Sequence, residues 1–320
     1  MKAPRISVLI PSYNCARYLP EAIESVLEQE FRDWELLIID DASTDGSLAV
    51  INKYAALDPR ITFQCNPGNL GAVRNWNLCL AQARGEYIKL LCCDDRLVSA
   101  QALGKLASLL DSNPSSVLAT SGRSIIDEDS RMLEVCSLLG PPGLKNGKDV
   151  VAHCLEADGN LIGEPSAVMF RRQPARRGFD PRYRQLVDLE MWFHLLAHGD
   201  LVYCPEPLCA FRKHPLQLTA FNHANQIGLY EGDMLFVDYF PNPWLRKRLS
   251  RQALFIRIYR GRKRRTKPED AREVERQMLK TLGRWWYAAL WLRRKMFKPC
   301  SDARKSLQKH LHRWLPQIKS

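Results

Sequence analysis

Four short apolar runs in the first 95 residues, each ending in polar or acidic side chains, constrain this chain more than any other feature. They cover residues 6–10, 35–39, 61–65 and 87–92. Between them, residues 19–31, 47–56 and 71–83 carry apolar side chains at helical spacing, such as Ile23, Val26 and Leu27, or Leu48, Ile51, Tyr54 and Ala55. This alternation predicts βαβ units, and hence an α/β fold with a mostly parallel sheet flanked by helices. A fifth strand is expected over 117–120, with strand-like runs at 166–170 and 201–204 and a helix over 186–198. Residues 127–148 are polar and carry Gly140, Pro141, Pro142 and Gly143, which reads as a loop. Beyond residue 224 the pattern is helical throughout, over 226–239, 244–260, 268–297 and 302–314. A boundary near 222 divides an α/β domain (1–222) from a helical extension (223–320).

Charge follows the same division. Residues 241–320 hold 24 Lys and Arg against 5 Asp and Glu, a formal +19, whereas the first 240 residues hold 23 against 30. The ten cysteines include no CxxC pair and several sit in apolar runs, so neither a zinc ribbon nor a disulfide scaffold is expected. The opening MKAPRISVLIPSY has too short an apolar run for a signal peptide, and no stretch reaches the roughly 18 apolar residues that span a bilayer. These features lead us to expect a cytoplasmic protein, with the inner face of the cell membrane as an expected peripheral site.

In an open parallel sheet, ligands bind outside the carboxyl ends of the strands. After the first run comes Pro11-Ser12-Tyr13-Asn14, and after the second Asp40-Asp41-Ala42-Ser43-Thr44-Asp45. Asn66-Pro67-Gly68-Asn69 follows the third, and Cys92-Cys93-Asp94-Asp95 the fourth. One aspartate after a strand is an ordinary helix cap. Four successive polar endings on one edge outline a ligand site.

The segments SVLIPSYN, LLIIDDASTDGS, GEYIKLLCCDD and VDLEMW resemble the family 2 glycosyltransferases, whose catalytic domain has the Rossmann-like GT-A fold. The resemblance covers roughly residues 4–220. It implies a nucleotide-sugar donor, a UDP-sugar in the first instance, a divalent cation (Mn²⁺ or Mg²⁺), and inversion at the anomeric carbon. By that resemblance Asp41, with Asp40 beside it, hydrogen-bonds the donor's base, and Pro11 and Tyr13 flank it. Asn77 and Arg74 match the donor edge. Asp94 and Asp95 fall on the metal motif, with Asp94 the preferred ligand; its first acidic position is Cys92, a poor ligand for Mg²⁺. His214, in Phe211-Arg212-Lys213-His214, matches a histidine that completes the metal shell or meets the diphosphate. Asp188 matches the base that takes the acceptor's proton, although the glutamate that precedes it in the family is Val187 here. Glu190 is the alternative base. It lies about 200° around a helix from Asp188, so the two cannot serve one site together. The segment Gly163-Glu164-Pro165-Ser166 is assigned to the acceptor side.

The resemblance also implies a hydroxyl acceptor, with a lipid-linked saccharide among the options and cell-surface polysaccharide or glycolipid assembly as the expected context. Two other readings stay open: a nucleotidyltransferase on a similar fold, and a degenerate, non-catalytic membrane scaffold. The basic extension has no zinc-finger, RRM or KH signal, which argues against nucleic acid. It interleaves arginines with Trp285, Trp286 and Trp291, so it suits an anionic membrane surface or a cover over the α/β domain. The membrane alternative predicts that the full chain sediments with anionic vesicles at low salt and is released as salt rises. Equal binding to neutral vesicles would favour the cover.

Overall fold

The computed structural model describes residues 3–219, 222, 227–251, 253–256 and scattered positions from 276 to 292. Its ten strands are Ile6–Ser12 (β1), Trp34–Asp40 (β2), Ile61–Cys65 (β3), Tyr87–Leu90 (β4), Arg96–Leu97 (β5), Ser116–Ile126 (β6), Met132–Cys136 (β7), Gly143–Lys145 (β8), Val168–Arg171 (β9) and Asp200–Arg212 (β10). The helices are Leu19–Leu27 (α1), Ser47–Ala55 (α2), Ala72–Gln82 (α3), Ala102–Ser112 (α4), Gly147–Ala157 (α5), Val187–Leu196 (α6) and Ile227–Tyr239 (α7). One sheet runs β3-β2-β1-β4-β9-β6-β10-β5, with β7 on β6 and β8 on β10. The pairs β1–β2, β1–β4, β2–β3 and β6–β10 are parallel, and β9 runs antiparallel between β4 and β6.

Every residue of β1 and β2 is buried, as parallel strands covered on both faces must be. Their apolar side chains meet Leu19, Ile23 and Val26 of α1 and Leu103, Leu106 and Leu110 of α4 in one core. The chain winds outward from β1 through β2 to β3, then returns to place β4 on the other side of β1. That reversal opens a crevice at the carboxyl ends of β1 and β4, where open α/β sheets take ligands.

Two expectations change. Residues 127–148 are not simply a loop. Strand β6 runs to Ile126 and turns through Asp127, whose Oδ1 accepts the Asp129 and Arg131 N–H groups, into β7. All but the last residue of β7 are exposed, so it lacks the apolar alternation that marks a half-buried strand. Likewise β10 does not stop at Cys204 but continues through Pro205 and Pro207 to Arg212, with register shifts on either side of Pro207. Prolines tolerated at bulges explain why the run looked broken. The helices expected over 302–314 and much of 268–297 lie outside the described residues, and around 244–260 the described residues are helical at Pro243–Arg246, 251 and 253–256. The chain divides into two compact units, Met1–Phe236 and Val237–Ser320. Among the described residues no helix is long and apolar enough to cross a membrane.

Gly122 of β6 faces the Pro205 bulge so closely that a Cβ there would collide with the Pro205 carbonyl. Gly122→Ala therefore should destabilise the protein by about 1–3 kcal/mol, the usual cost of overpacking. Urea denaturation measures it, and an unchanged midpoint would mean the bulge yields freely.

Candidate active site

The loops after β1 and β2 are stitched together. Asn14, in a left-handed conformation (φ 48°), accepts the Thr44 N–H at 2.8 Å and donates its own N–H to Ser43 Oγ at 2.9 Å. The Cys15 N–H reaches Ser47 Oγ, and the Ala16 N–H reaches Asp45 Oδ2. Pro11 is buried in β1, and Tyr13 is half exposed at the loop's lip.

Asp40 and Asp41 are both buried but differ in their partners. Asp40 accepts the Ser43 N–H (2.8 Å) on one oxygen and the Ser43 Oγ–H (2.6 Å) on the other. Both its oxygens thus hold the Ser43 turn. Asp41 Oδ1 accepts Asn66 Nδ2 (2.8 Å) and the Leu70 N–H (2.9 Å), while Oδ2 accepts only the Gly71 N–H (2.9 Å). A carboxylate has about four acceptor positions, so one remains, on Oδ2. Gly71 reaches it from φ 85°, a conformation that favours glycine.

The donor-edge residues part company. Asn77 clamps a neighbouring loop: its Nδ2 donates to the Phe179 carbonyl (2.9 Å) and its Oδ1 accepts the Phe179 N–H (2.7 Å). That pair of hydrogen bonds to backbone gives Asn77 a structural task. Arg74 stands exposed on α3.

At the end of β4, Asp94 and Asp95 also take different roles. Asp95, 1% exposed, accepts Ser166 Oγ–H (2.5 Å) and the Arg212 N–H (2.9 Å), one on each oxygen. Burial and the Asp94 charge push its carboxyl well above the usual range. Asp94 is more open and shares Oδ2 with His214 Nε2 at 3.1 Å. The His214 ring lies 4.8 Å from that of Tyr18. Cys92 Sγ and carboxylate oxygens of Asp94 and Asp95 lie within 4.8 Å of one another, a grouping able to hold a metal ion.

Asp188 lies in the first turn of α6, with Asn160 Nδ2 at 3.4 Å from its Oδ2. Burial, reinforced by the charges of Glu164 and Glu231, raises its carboxyl to about 7. Glu190 on the same helix is paired with Arg177 at 2.6 Å. Glu164 itself is gripped by Arg123, and its charge acts on both Asp188 and Asp95. One carboxylate therefore lies within reach of the acid turn and of α6.

Several participants gave no signal in the sequence. Lys89 sits inside an apolar run, yet its fully buried ammonium donates to the Ser166 carbonyl; burial lowers it to about 8 despite nearby Asp95. Asn75, Arg123 and Glu231 are equally plain in sequence. Glu231 of α7 accepts the N–H groups of Arg184, Gln185 and Leu186 at 2.6–2.8 Å, anchoring the entry to α6. Only an acid in an otherwise apolar helix face could have marked it.

Residues 7–177 match the family model described as Glycosyl transferase family 2. The chain is 34% identical over 220 residues to "Uncharacterized protein MT1568" of Mycobacterium tuberculosis, covering 66% of this chain and 67% of that one. It is 30% identical over 205 residues to the "Putative teichuronic acid biosynthesis glycosyltransferase TuaG" of Bacillus subtilis, covering 62% and 75%. Among solved structures, S. aureus TarS 1-349 in complex with UDP-GlcNAc superposes with a TM-score of 0.58 at 16% identity, covering 79% and 80%. The mannosyltransferase PcManGT of Pyrobaculum calidifontis, in complex with GDP-Man and Mn²⁺, does so at 0.53 and 17% identity, covering 98% and 84%. At these identities the structures establish the fold, which is GT-A.

The raised Asp188 carboxyl has a consequence for stability. A folded pKa of about 7 against an unfolded value near 3.9 means that the contribution of Asp188 to stability is fully present below pH 4 and is lost as pH rises through 7. Asp188→Asn removes that loss. The variant should out-melt the native protein at pH 8, by on the order of a few kcal/mol, with the gap closing toward pH 4. Thermal melts across pH check this, and a pH-independent gap would contradict it.

Proposed function

The chain belongs to glycosyl transferase family 2 and is a glycosyltransferase; from that premise we propose that it moves a sugar, with inversion, from a UDP-sugar to an acceptor hydroxyl. The observation that carries this reading is a buried carboxyl of pKa about 7, Asp188, in one domain with the Asp94–His214 pair, the charge of Glu164 acting on both Asp188 and Asp95. A general base works best when its pKa lies near the operating pH.

The residues present fit a divalent cation, since Asp94 offers a hard oxygen and His214 an imidazole beside it. The cation's chemistry, when bound, is to neutralise charge on the departing diphosphate. Asp94 and His214 hold that side. Asp188 accepts the acceptor's proton as the hydroxyl oxygen bonds to the anomeric carbon and the bond to the diphosphate breaks. No covalent intermediate forms on the protein. The bond made opposite the one broken inverts the centre.

For the base, Asp41 keeps one acceptor position and so suits a single N–H, as uracil presents at its imide. Guanine presents a pair of donors, which asks for two positions. In this reading Pro11 and Tyr13 flank the base, and Arg74, exposed on α3, serves the donor edge. Asp95, each of whose oxygens already has a partner, holds the acid turn in shape.

The relatives that bear names bearing on function include one assigned to teichuronic acid biosynthesis. In the same vein, the acceptor here belongs to cell-surface polysaccharide or glycolipid assembly. The basic extension (223–320) supplies contact with an anionic membrane face, supported by Trp285, 89% exposed, and half-exposed Trp286.

UDP with Mn²⁺ should raise the melting temperature more than GDP with Mn²⁺. Asp188→Asn should keep that shift while transfer falls by roughly 10² to 10⁴, the range for a lost general base. Asp94→Ala should abolish the cation-dependent part of the shift. Transfer from Asp188→Asn at near-native rate would hand the role of base to another group.

A further inference from the structure

We propose that Cys92 makes the cation position thiophilic, so that it takes Zn²⁺, Co²⁺ or Cd²⁺ through the Cys92 sulfur and the Asp94 carboxylate in preference to Mg²⁺. This rests on the reading of residues 92–95 as the cation position, and it concerns the one ligand position where this chain carries sulfur.

The geometry brings the sulfur to the carboxylates. Cys92 Sγ and oxygens of Asp94 and Asp95 lie within 4.8 Å of one another. A zinc ion bonds sulfur at about 2.3 Å and carboxylate oxygen at about 2.0–2.2 Å, so ligand atoms on one ion stand well inside that spacing after a small rotamer change. Cys92 is partly exposed, as is Asp94, so an ion can reach both. The backbone at Cys92 is fixed, because its N–H donates to Ser166 Oγ at 3.1 Å. The same Ser166 hydroxyl donates to Asp95. One serine thus locks the sulfur-bearing residue against the buried acid.

The division of labour between the two aspartates sharpens the donor set. Asp95 has Ser166 on one oxygen and the Arg212 N–H on the other. Among the described residues, Asp94 shares Oδ2 with His214 and has Oδ1 open. The donors open to an ion within the 4.8 Å grouping are therefore one sulfur and one carboxylate, with His214 bonded to that carboxylate from outside the grouping. A sulfur-bearing donor set suits Zn²⁺ and Co²⁺, whereas Mg²⁺ demands near-octahedral oxygen. As the ion binds, the thiol proton leaves to solvent and no redox change occurs. Zn²⁺ then competes with Mg²⁺ or Mn²⁺ for the same place and would tune transfer by metal availability.

Co²⁺ titrated into the full chain without nucleotide provides the test, because cobalt–thiolate bonding gives a near-ultraviolet charge-transfer band that oxygen and nitrogen ligands do not. The native protein should show a saturable band that Zn²⁺ abolishes and excess Mg²⁺ leaves in place. Cys92→Ser, nearly isosteric, should lose the band and weaken Co²⁺ by at least about tenfold, the low end of what even a supporting group costs a metal site. Cys93→Ser should keep it, which separates Cys92 from the adjoining thiol. Cys92→Asp should lose the band and bind Mg²⁺ more tightly than the native protein. Saturable Co²⁺ binding without a band, a band that survives Cys92→Ser, or no Co²⁺ binding would each overturn thiol ligation. None of these outcomes depends on transfer. If the proposal fails while UDP with Mn²⁺ still stabilises the protein, the reading of the site as a glycosyltransferase centre stands.

Discussion

A guanidinium with no exposed surface, Arg212, joins the pieces from which the site is made. The Arg212 backbone N–H donates to Asp95, while the side chain donates from Nε to the Asp94 carbonyl and from its Nη atoms to the Asp127 carbonyl, Ser130 Oγ and Glu21 Oε2. Tyr18 lies against its other face, 4.6 Å from ring centre to guanidinium carbon. The end of β10, the acid turn after β4, the β6–β7 turn and α1 therefore share one side chain. A buried charge is tolerable only when its donors and countercharge are all met. Glu21, which that charge and the Ser130 hydroxyl hold below the usual carboxylate range despite its partial burial, supplies the countercharge. Lysine, with a single point of charge, could not make the same fan of contacts. His214, two residues beyond Arg212, is thereby delivered to Asp94.

The second constraint is the balance acting on Asp188. Amide groups at the start of a helix favour an ionised carboxylate, and the Leu189 N–H does pull Asp188 downward. Glu231 works against this. It takes three backbone N–H groups just before α6 and adds a second negative charge nearby. Burial is the largest effect and wins. A carboxyl left at the ordinary value for aspartate would be ionised but weakly basic, whereas one near 7 gains proton affinity and remains half ionised at neutral pH.

The sheet's ordering strands and the polar ends of β1, β2, β3 and β4 were legible because both are local signals. An apolar run followed by Asp or Asn is visible within ten residues. Local reading also separated Asp188 from Glu190 by helical geometry, and the structure pairs Glu190 with Arg177 instead. What escaped was long-range. Asn66 braces Asp41 from 25 residues away in sequence and is itself held by Asn75, and Asp40, the same residue type as Asp41, holds a turn. Lys89 disappears into an apolar run because nothing near it announces the Ser166 carbonyl it meets. Strand β10 was cut short by its prolines, since no local rule reveals a bulge that a glycine on the neighbouring strand makes room for.

Strand direction explains why so many of these groups converge. Strands β1, β2, β3 and β4 run the same way, and β6 and β10 run with them, so six carboxyl ends lie on one edge. Strand β9 is inserted antiparallel between β4 and β6, and its beginning therefore lies where its neighbours finish. The turn Pro165–Ala167 leads into it, which puts Glu164 and Ser166 on the edge already occupied by Asp94, Asp95 and Arg212. Had β9 been parallel, Ser166 would sit at the opposite edge, leaving Asp95 without its hydroxyl and Lys89 without its carbonyl. One reversed strand thus separates the two sides of the crevice, with the β1–β4 ends on one and the β6 and β10 ends and the start of β9 on the other. The carboxylate that acts on both, Glu164, stands at the seam between them.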